Sequence, residues 1–153
     1  MEKDHKVWKF YARAKKIYLP NDSRADLIVN GFSIGSHHYE DAVVATGFSF
    51  FAQVPTNDFE TLREEGLITR VEEAEDYLRN YKGIQVRQDF LYAFEKIGLA
   101  DVRVDGADHP LGFQNVAVTS GHGKLLGMGF LGNLEFMIYN DGKGLVLKGS
   151  KAY

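Results

Sequence analysis

Few side chains in this sequence can carry chemistry, and their grouping narrows what that chemistry is. None of the 153 residues is a cysteine, which removes thiolate nucleophiles, disulfides and zinc–thiolate sites. The histidines offer one cluster, "SHHYED", with His37, His38, Glu40 and Asp41. Adjacent residues of a strand point to opposite faces, so His37 and His38 do not easily chelate one ion. His38 and Glu40 share a face, but two ligands do not make a metal site. The cluster reads as a solvated turn, and no metal is expected. His109 and His122 lie in glycine-rich loops and are free to approach either pair. The acidic run "REEGLITRVEEAED" reads as a solvated face, with no spacing that singles out a catalytic pair. "GHGK", beside Ser120, lacks the longer glycine-rich turn that opens a helix in a phosphate loop. What remains is "VVATGFSFFAQVP", Val43 to Pro55, an apolar run broken by Thr46 and Gly47.

The elements that must position this run are mostly strands. "VWKFYARAKKIYL" has a strand's residue types at Trp8, Phe10 and Tyr18, with a helix as the alternative, and "LPNDSRAD" is a turn cluster. "LIVNGFSIG" is a strand with a hairpin signal at Asn30-Gly31. "AVVATGFSFFAQV" is a near-continuous apolar strand whose glycine marks a sharp bend or a close backbone approach. After Pro55, "TNDFETLREEGL" reads as a helix, with capping-box spacing at Asn57 and Glu60 and a stop at Gly66. "TRVEEAEDYLRNY" places Val71, Ala74, Leu78 and Tyr81 near one helical face, so the two stretches form a short helical insert. "GIQVRQDFLYAFEKIGL" suits helix and strand alike. "ADVRVDGADH" alternates and turns at Asp105-Gly106, and "LGFQNVAVTSG" is a strand between turns. The last segment holds a glycine-punctuated "LLGMGFLG" and two strands around an Asn-Asp-Gly turn. No internal repeat is present. Glycines concentrated outside the helical stretches suit a mainly β domain with tight turns.

Two of these stretches together resemble a retropepsin-like aspartic peptidase (clan AA), in the bacterial and archaeal branch whose signature is Asp-Thr-Gly-Phe. In that family an apolar strand runs into Asp-Thr-Gly, and a Leu-Pro or Val-Pro follows before a short helix. Here Val43 and Val44 lead into Ala45-Thr46-Gly47-Phe48, and Val54-Pro55 follows. The family's second mark is an apolar-apolar-Gly triplet, then Met and an apolar pair, before a closing hairpin. Here the triplet is Leu125-Leu126-Gly127, in "LLGMGFLGNLEFMIYNDGKGLVL". The anchors stand in the right order about 80 residues apart and cover about a quarter of the chain. The departure is at one residue: the family's catalytic aspartate falls on Ala45.

The resemblance implies a mainly β, retropepsin-like closed barrel or sheet over residues 1–153 as a single domain. Two carboxylates about 3 Å apart cannot both ionise, so they share a proton and serve as acid and base; aspartic proteases are the standard instance. One copy of the motif supplies half a dyad, so a homodimer with its site on the two-fold axis is implied. By the same resemblance Thr46 hydrogen-bonds across that axis and Gly47 makes the tight loop. Leu125, Leu126 and Gly127 pack behind it, and Phe48 and Phe50 form apolar surroundings for a peptide substrate in extended conformation. A covering flap is expected between Tyr81 and Gly106, at "NYKGIQ" or "VDGAD". No cofactor is needed. With Ala45 in both subunits neither acid nor base remains, so this form is expected to be inactive. An engineered Asp-to-Ala change is the favoured explanation, because Thr46 and Gly47 stand intact beside it. The alternatives are a natural pseudoprotease acting as a peptide-binding or scaffolding module, and an unrelated β-barrel binding a small ligand or metal.

Composition sets the remaining bounds. A chain 44% hydrophobic and 25% charged, with net charge −3, gives no electrostatic case for nucleic acid or an acidic membrane surface. Apolar runs fall well short of the roughly 20 residues a membrane helix needs. The N-terminal residues lack a signal peptide's apolar core, and a cytoplasmic location is expected.

Overall fold

The alternating apolar residues of the sequence pair into one long sheet that closes on itself. The computed structural model describes residues 5–19, 22–45, 48–80, 94–106, 110–132, 137–140 and 145–152. In chain order the elements are β1 (His5–Leu19), β2 (Asp22–Ile34), β3 (His37–Val44), β4 (Ala52–Pro55), α1 (Thr56–Glu64), β5 (Thr69–Glu73), α2 (Ala74–Asn80), β6 (Lys96–Val104), β7 (Leu111–Gly121), β8 (Leu125–Leu126), α3 (Met128–Leu131), β9 (Met137–Asn140) and β10 (Leu145–Ala152). The sheet order is β5-β6-β7-β4-β8-β3-β2-β1-β10-β9, and a further β6–β2 pairing closes six of these strands into a barrel. The expected mainly β, closed-barrel architecture is therefore present. Most neighbours are antiparallel, but β3–β8 and β4–β7 run parallel.

The barrel closes because apolar side chains on facing strands need the same interior. Phe32 opposes Val104 at the closure, and both are fully buried. With Val29, Ile34, Val54, Val102, Val118 and Leu126 they form the main core, and α1 adds Phe59 and Leu62 over it. Burial of this kind, about 1.5–3 kcal/mol for each large aliphatic or aromatic side chain, is what holds a sheet closed. The helix α1 ends as its glycine predicts. Gly66 has φ +75, its N–H donates to Arg63 O, and the N–H of Leu67 reaches back to Leu62 O, a Schellman ending.

Beyond the barrel, β1 is shared by two partners. Residues His5 to Ala12 pair with β10, and Ala12 to Leu19 pair with β2.

Several local expectations are corrected. The hairpin lies at Gly35-Ser36, between the paired Ile34 and His37, and not at Asn30-Gly31. The strand must continue past Gly31 because Phe32 and Ile34 are core residues. The reversal then uses Gly35, at φ +59, whose missing side chain leaves room for Leu67. "AVVATGFSFFAQV" is two strands, β3 and β4, rather than one. The capping box is not made: the N-cap is Pro55, without a side-chain cap, and Glu60 binds Lys96 instead. "TRVEE" is the strand β5, with only the following residues helical. Its pairing with β6 at Thr69↔Leu99 and Glu72↔Ile97 outweighs a weak helical periodicity.

Candidate active site

The loop after β3 is positioned almost entirely by backbone. The parallel partners Val43↔Leu125 and Val44↔Leu126 set β8 beside the end of β3. The ladder is extended by Val43 N–H donating to Lys124 O at 3.0 Å and Ala45 N–H to Leu126 O at 2.9 Å. Phe48 N–H then donates to Ala45 O at 3.2 Å, closing a short turn. Thr46 and Gly47, between these two, lie outside the described residues, as does "YKGIQ" of the first flap candidate. Of "VDGAD", Val104, Asp105 and Gly106 are described. Asp105 is fastened to β2 by its N–H on Gly31 O.

The other side of the loop is held by the start of α3. Met128 N–H donates to Phe48 O at 2.8 Å, Gly129 N–H to Phe50 O at 3.2 Å and Gly127 N–H to Phe51 O at 2.9 Å. Three successive amides thus meet three carbonyls of one loop. Contact this close requires glycine. A Cβ on Gly127 would fall 2.4 Å from both Phe48 O and Phe50 O. The structure therefore brings Ala45, Phe48 and Phe50 together with Leu125, Leu126 and Gly127, which are about 80 residues away in the chain.

The side chains around the loop are apolar. Phe48 is buried and meets Phe50 edge-on at 5.7 Å. Phe50, half-buried, packs edge-on against Tyr77 of α2 at 5.7 Å and Phe94 at 5.1 Å. Ala74, Ile97 and Ala117 complete this second cluster. Sequence reasoning missed Tyr77 and Phe94 as neighbours of the loop, since nothing local links the insert to it. Ala45 is half-buried, and neither the loop from Ala45 to Phe51 nor the segment from Lys124 to Gly129 contains a carboxylate. A methyl group carries no proton, so the loop is held firmly by its backbone while Ala45 offers neither acid nor base.

The ionisable groups are engaged elsewhere. His37 Nε2 lies 2.6 Å from Glu65 and His38 Nε2 2.5 Å from Asp105. The two histidines thus reach different carboxylates, and both pairs lie at the exposed surface. Among the described residues no three His, Asp or Glu side chains converge on a possible metal. The Glu60 carboxyl is held below its ordinary range mainly by the hydrogen bond from Lys96, 2.7 Å away. The Tyr39 phenol, buried with no hydrogen-bond partner for its oxygen, is pushed up to about 12 by burial and then by Asp58 and Glu65. An open cleft of about 730 Å³ lies between β2, β6 and β7, lined by Ser33, Asp101, Arg103 and Gln114 among others. It includes no residue of the Ala45 loop.

No protein-family model matches this chain, and no curated protein matches it. Among solved structures it is similar to the crystal structure of a retropepsin-like aspartic protease from Rickettsia conorii. That likeness covers 99% of each chain, at 14% identity and a TM-score of 0.49. Among the described residues no helix is long and apolar enough to cross a membrane.

Proposed function

We propose that this chain is a retropepsin-like aspartic endopeptidase domain, silent in the form given because Ala45 holds the position of the catalytic aspartate. One observation carries the reading. The two stretches that resemble the family are distant in sequence, yet they are hydrogen-bonded neighbours, with Ala45 on Leu126 and Phe48 on Met128. An unrelated β-barrel has no reason to bring these two stretches together.

In the proposed mechanism two copies of the chain meet on a two-fold axis, each presenting residue 45. Restored to aspartate, the pair shares one proton. The ionised member draws a proton from water as that water attacks the peptide carbonyl carbon, and the protonated member gives its proton to the leaving nitrogen. The substrate is a peptide in extended conformation, held by strand-like hydrogen bonds, with Phe48 and Phe50 contributing apolar surroundings. Thr46 and Gly47 serve that dyad in the family, and their presence beside Ala45 supports an engineered replacement over an ancestral loss.

The test is digestion of an unbiased peptide library from about pH 4 to 8 by this protein and by Ala45→Asp. Cleavage by Ala45→Asp alone, blocked by a transition-state analogue of the pepstatin type, is expected. A folded, dimeric Ala45→Asp that cleaves nothing would overturn the peptidase reading in favour of a peptide-binding module.

A further inference from the structure

The strands that close the barrel also shape the open cleft between β2, β6 and β7, of about 730 Å³, a size that suits a small ligand. On β6 the buried Val102 and Val104 alternate with Asp101 and Arg103, which face outward and are exposed. Arg103 pairs with Ser33 of β2 on one side and with Gly112 of β7 on the other. Neither neighbour fills the space beside it, and a Cβ on Gly112 would meet nothing within 4 Å. Asp101 is aimed by a β-bulge. Between the pairs Ala100↔Val116 and Val102↔Phe113 it alone opposes two residues, Gln114 and Asn115. Asn115 takes the left-handed conformation, at φ +51, and its N–H donates to Asp101 Oδ1 at 3.0 Å. The carboxylate is thus drawn toward β7. Among the described residues the Arg103 guanidinium has no ion-pair or hydrogen-bond partner. Two opposite charges therefore stand on one face of β6, roughly 7 Å apart along the strand, without neutralising each other. Bulges that re-aim a side chain in this way are frequent beside functional sites.

We propose that this cleft binds a small zwitterion of the class of a dipeptide, with its carboxylate on Arg103 and its ammonium group on Asp101. A guanidinium presents a planar fork that matches a carboxylate with two parallel hydrogen bonds. The second oxygen of Asp101 is the acceptor for the ammonium group, since the first holds Asn115. Two extended residues span roughly 7 Å, the same step that separates Asp101 from Arg103. A single amino acid carries both charges on one carbon and reaches the pair less well, and a plain anion uses only half of it. Gly112 leaves the room in which the ligand lies. The cleft contains no residue of the Ala45 loop, so this site stands whether or not the chain is a peptidase.

The experiment titrates the unaltered chain with alanyl-alanine and follows backbone amide shifts by NMR. Saturable binding at about 1 mM or tighter is expected, with the largest shifts at Asp101–Val104 and Gly112–Asn115. N-acetyl-alanyl-alanine and alanyl-alanine amide, each missing one charge, should bind at least about tenfold more weakly, as should acetate and inorganic phosphate. Arg103→Gln should lose binding by a similar factor. Asp101→Asn keeps an oxygen for the Asn115 N–H, so it should weaken alanyl-alanine but leave the N-acetyl form unchanged, a split that mere damage to the bulge would not produce. Gly112→Leu fills the cleft from open space and should abolish binding, which covers the case in which a charge variant does not fold. No saturable binding by the folded parent up to about 50 mM overturns the site. So does alanyl-alanine binding that Arg103→Gln and Gly112→Leu leave intact, or phosphate binding as tight as that of alanyl-alanine.

Discussion

Replacing Gly127 by Ala adds one methyl group where two carbonyl oxygens already sit. The new carbon would lie 2.4 Å from Phe48 O and Phe50 O, whereas ordinary contact begins near 3.4 Å. One side must retreat by about 1 Å, and both are backbone. Those carbonyls accept the N–H groups of Met128 and Gly129 at 2.8 and 3.2 Å, so any retreat lengthens both bonds. A net hydrogen bond contributes about 0.5–1.5 kcal/mol, and inserting a methyl group into packed surroundings costs about 1–3 kcal/mol. Together they predict a loss of about 2–4 kcal/mol for Gly127→Ala, or roughly 5–15 °C in Tm for a chain of this size. Urea titration at fixed protein concentration measures it. Gly123→Ala is the control, since nothing lies within 4 Å of its new carbon, and it should stay within about 0.5 kcal/mol. A Gly127→Ala as stable as that control would refute the claim that the loop and α3 are locked backbone to backbone.

Two further outcomes follow from the ionisable groups. Tyr39→Phe removes a buried hydroxyl that has no partner, so it should be neutral or stabilising by up to about 1 kcal/mol. The unfolded phenol ionises near its ordinary value of 10.0 and the folded one only near 12. The parent therefore loses stability as pH rises across that window, and Tyr39→Phe should not show this loss in alkaline denaturation curves. Lys96→Met removes the partner that holds the Glu60 carboxyl low. A lowered carboxyl contributes stability above the unfolded carboxyl's pKa and loses it as pH falls through the folded one. The parent should therefore lose slightly more stability than Lys96→Met on acidification, by less than about 1 kcal/mol because the pair is partly exposed. Acid titrations of the two proteins that superimpose would show that the pair contributes nothing.

How much of this was legible in the sequence depended on whether the determinants were local. The strand Leu111–Gly121 was bounded by its own turn residues, and the end of α1 was written in Gly66. The juxtaposition of the Ala45 loop with Leu125–Gly127 was legible only through resemblance, since no pattern within either stretch calls for the other. Closure of the barrel by Phe32 and Val104 was not legible, because both read as ordinary strand residues and only the partner strand fixes their pairing. The hairpin at Gly35 was misplaced because Asn30-Gly31 has the stronger turn chemistry, and core burial of Phe32 and Ile34 overrode it. The strand β5 is masked by a weak helical periodicity for a different reason: its conformation is set by pairing with the edge of β6, not by burial. The short helix α3 was hidden by its glycines, which serve contact with the loop and disfavour helix locally.

The divided pairing of β1 bears on how the chain folds as it is made. Its second half can pair with β2 as soon as that strand emerges, because the partners Leu19 and Asp22 are close in sequence. Its first half must wait for the last strand, since His5 pairs with Ala152. Contacts of such long sequence separation form late and slowly. Until then the leading edge of β1 offers unpaired backbone groups to any passing strand. The step most exposed to misassembly is therefore the long-range pairing of β10 with the leading half of β1.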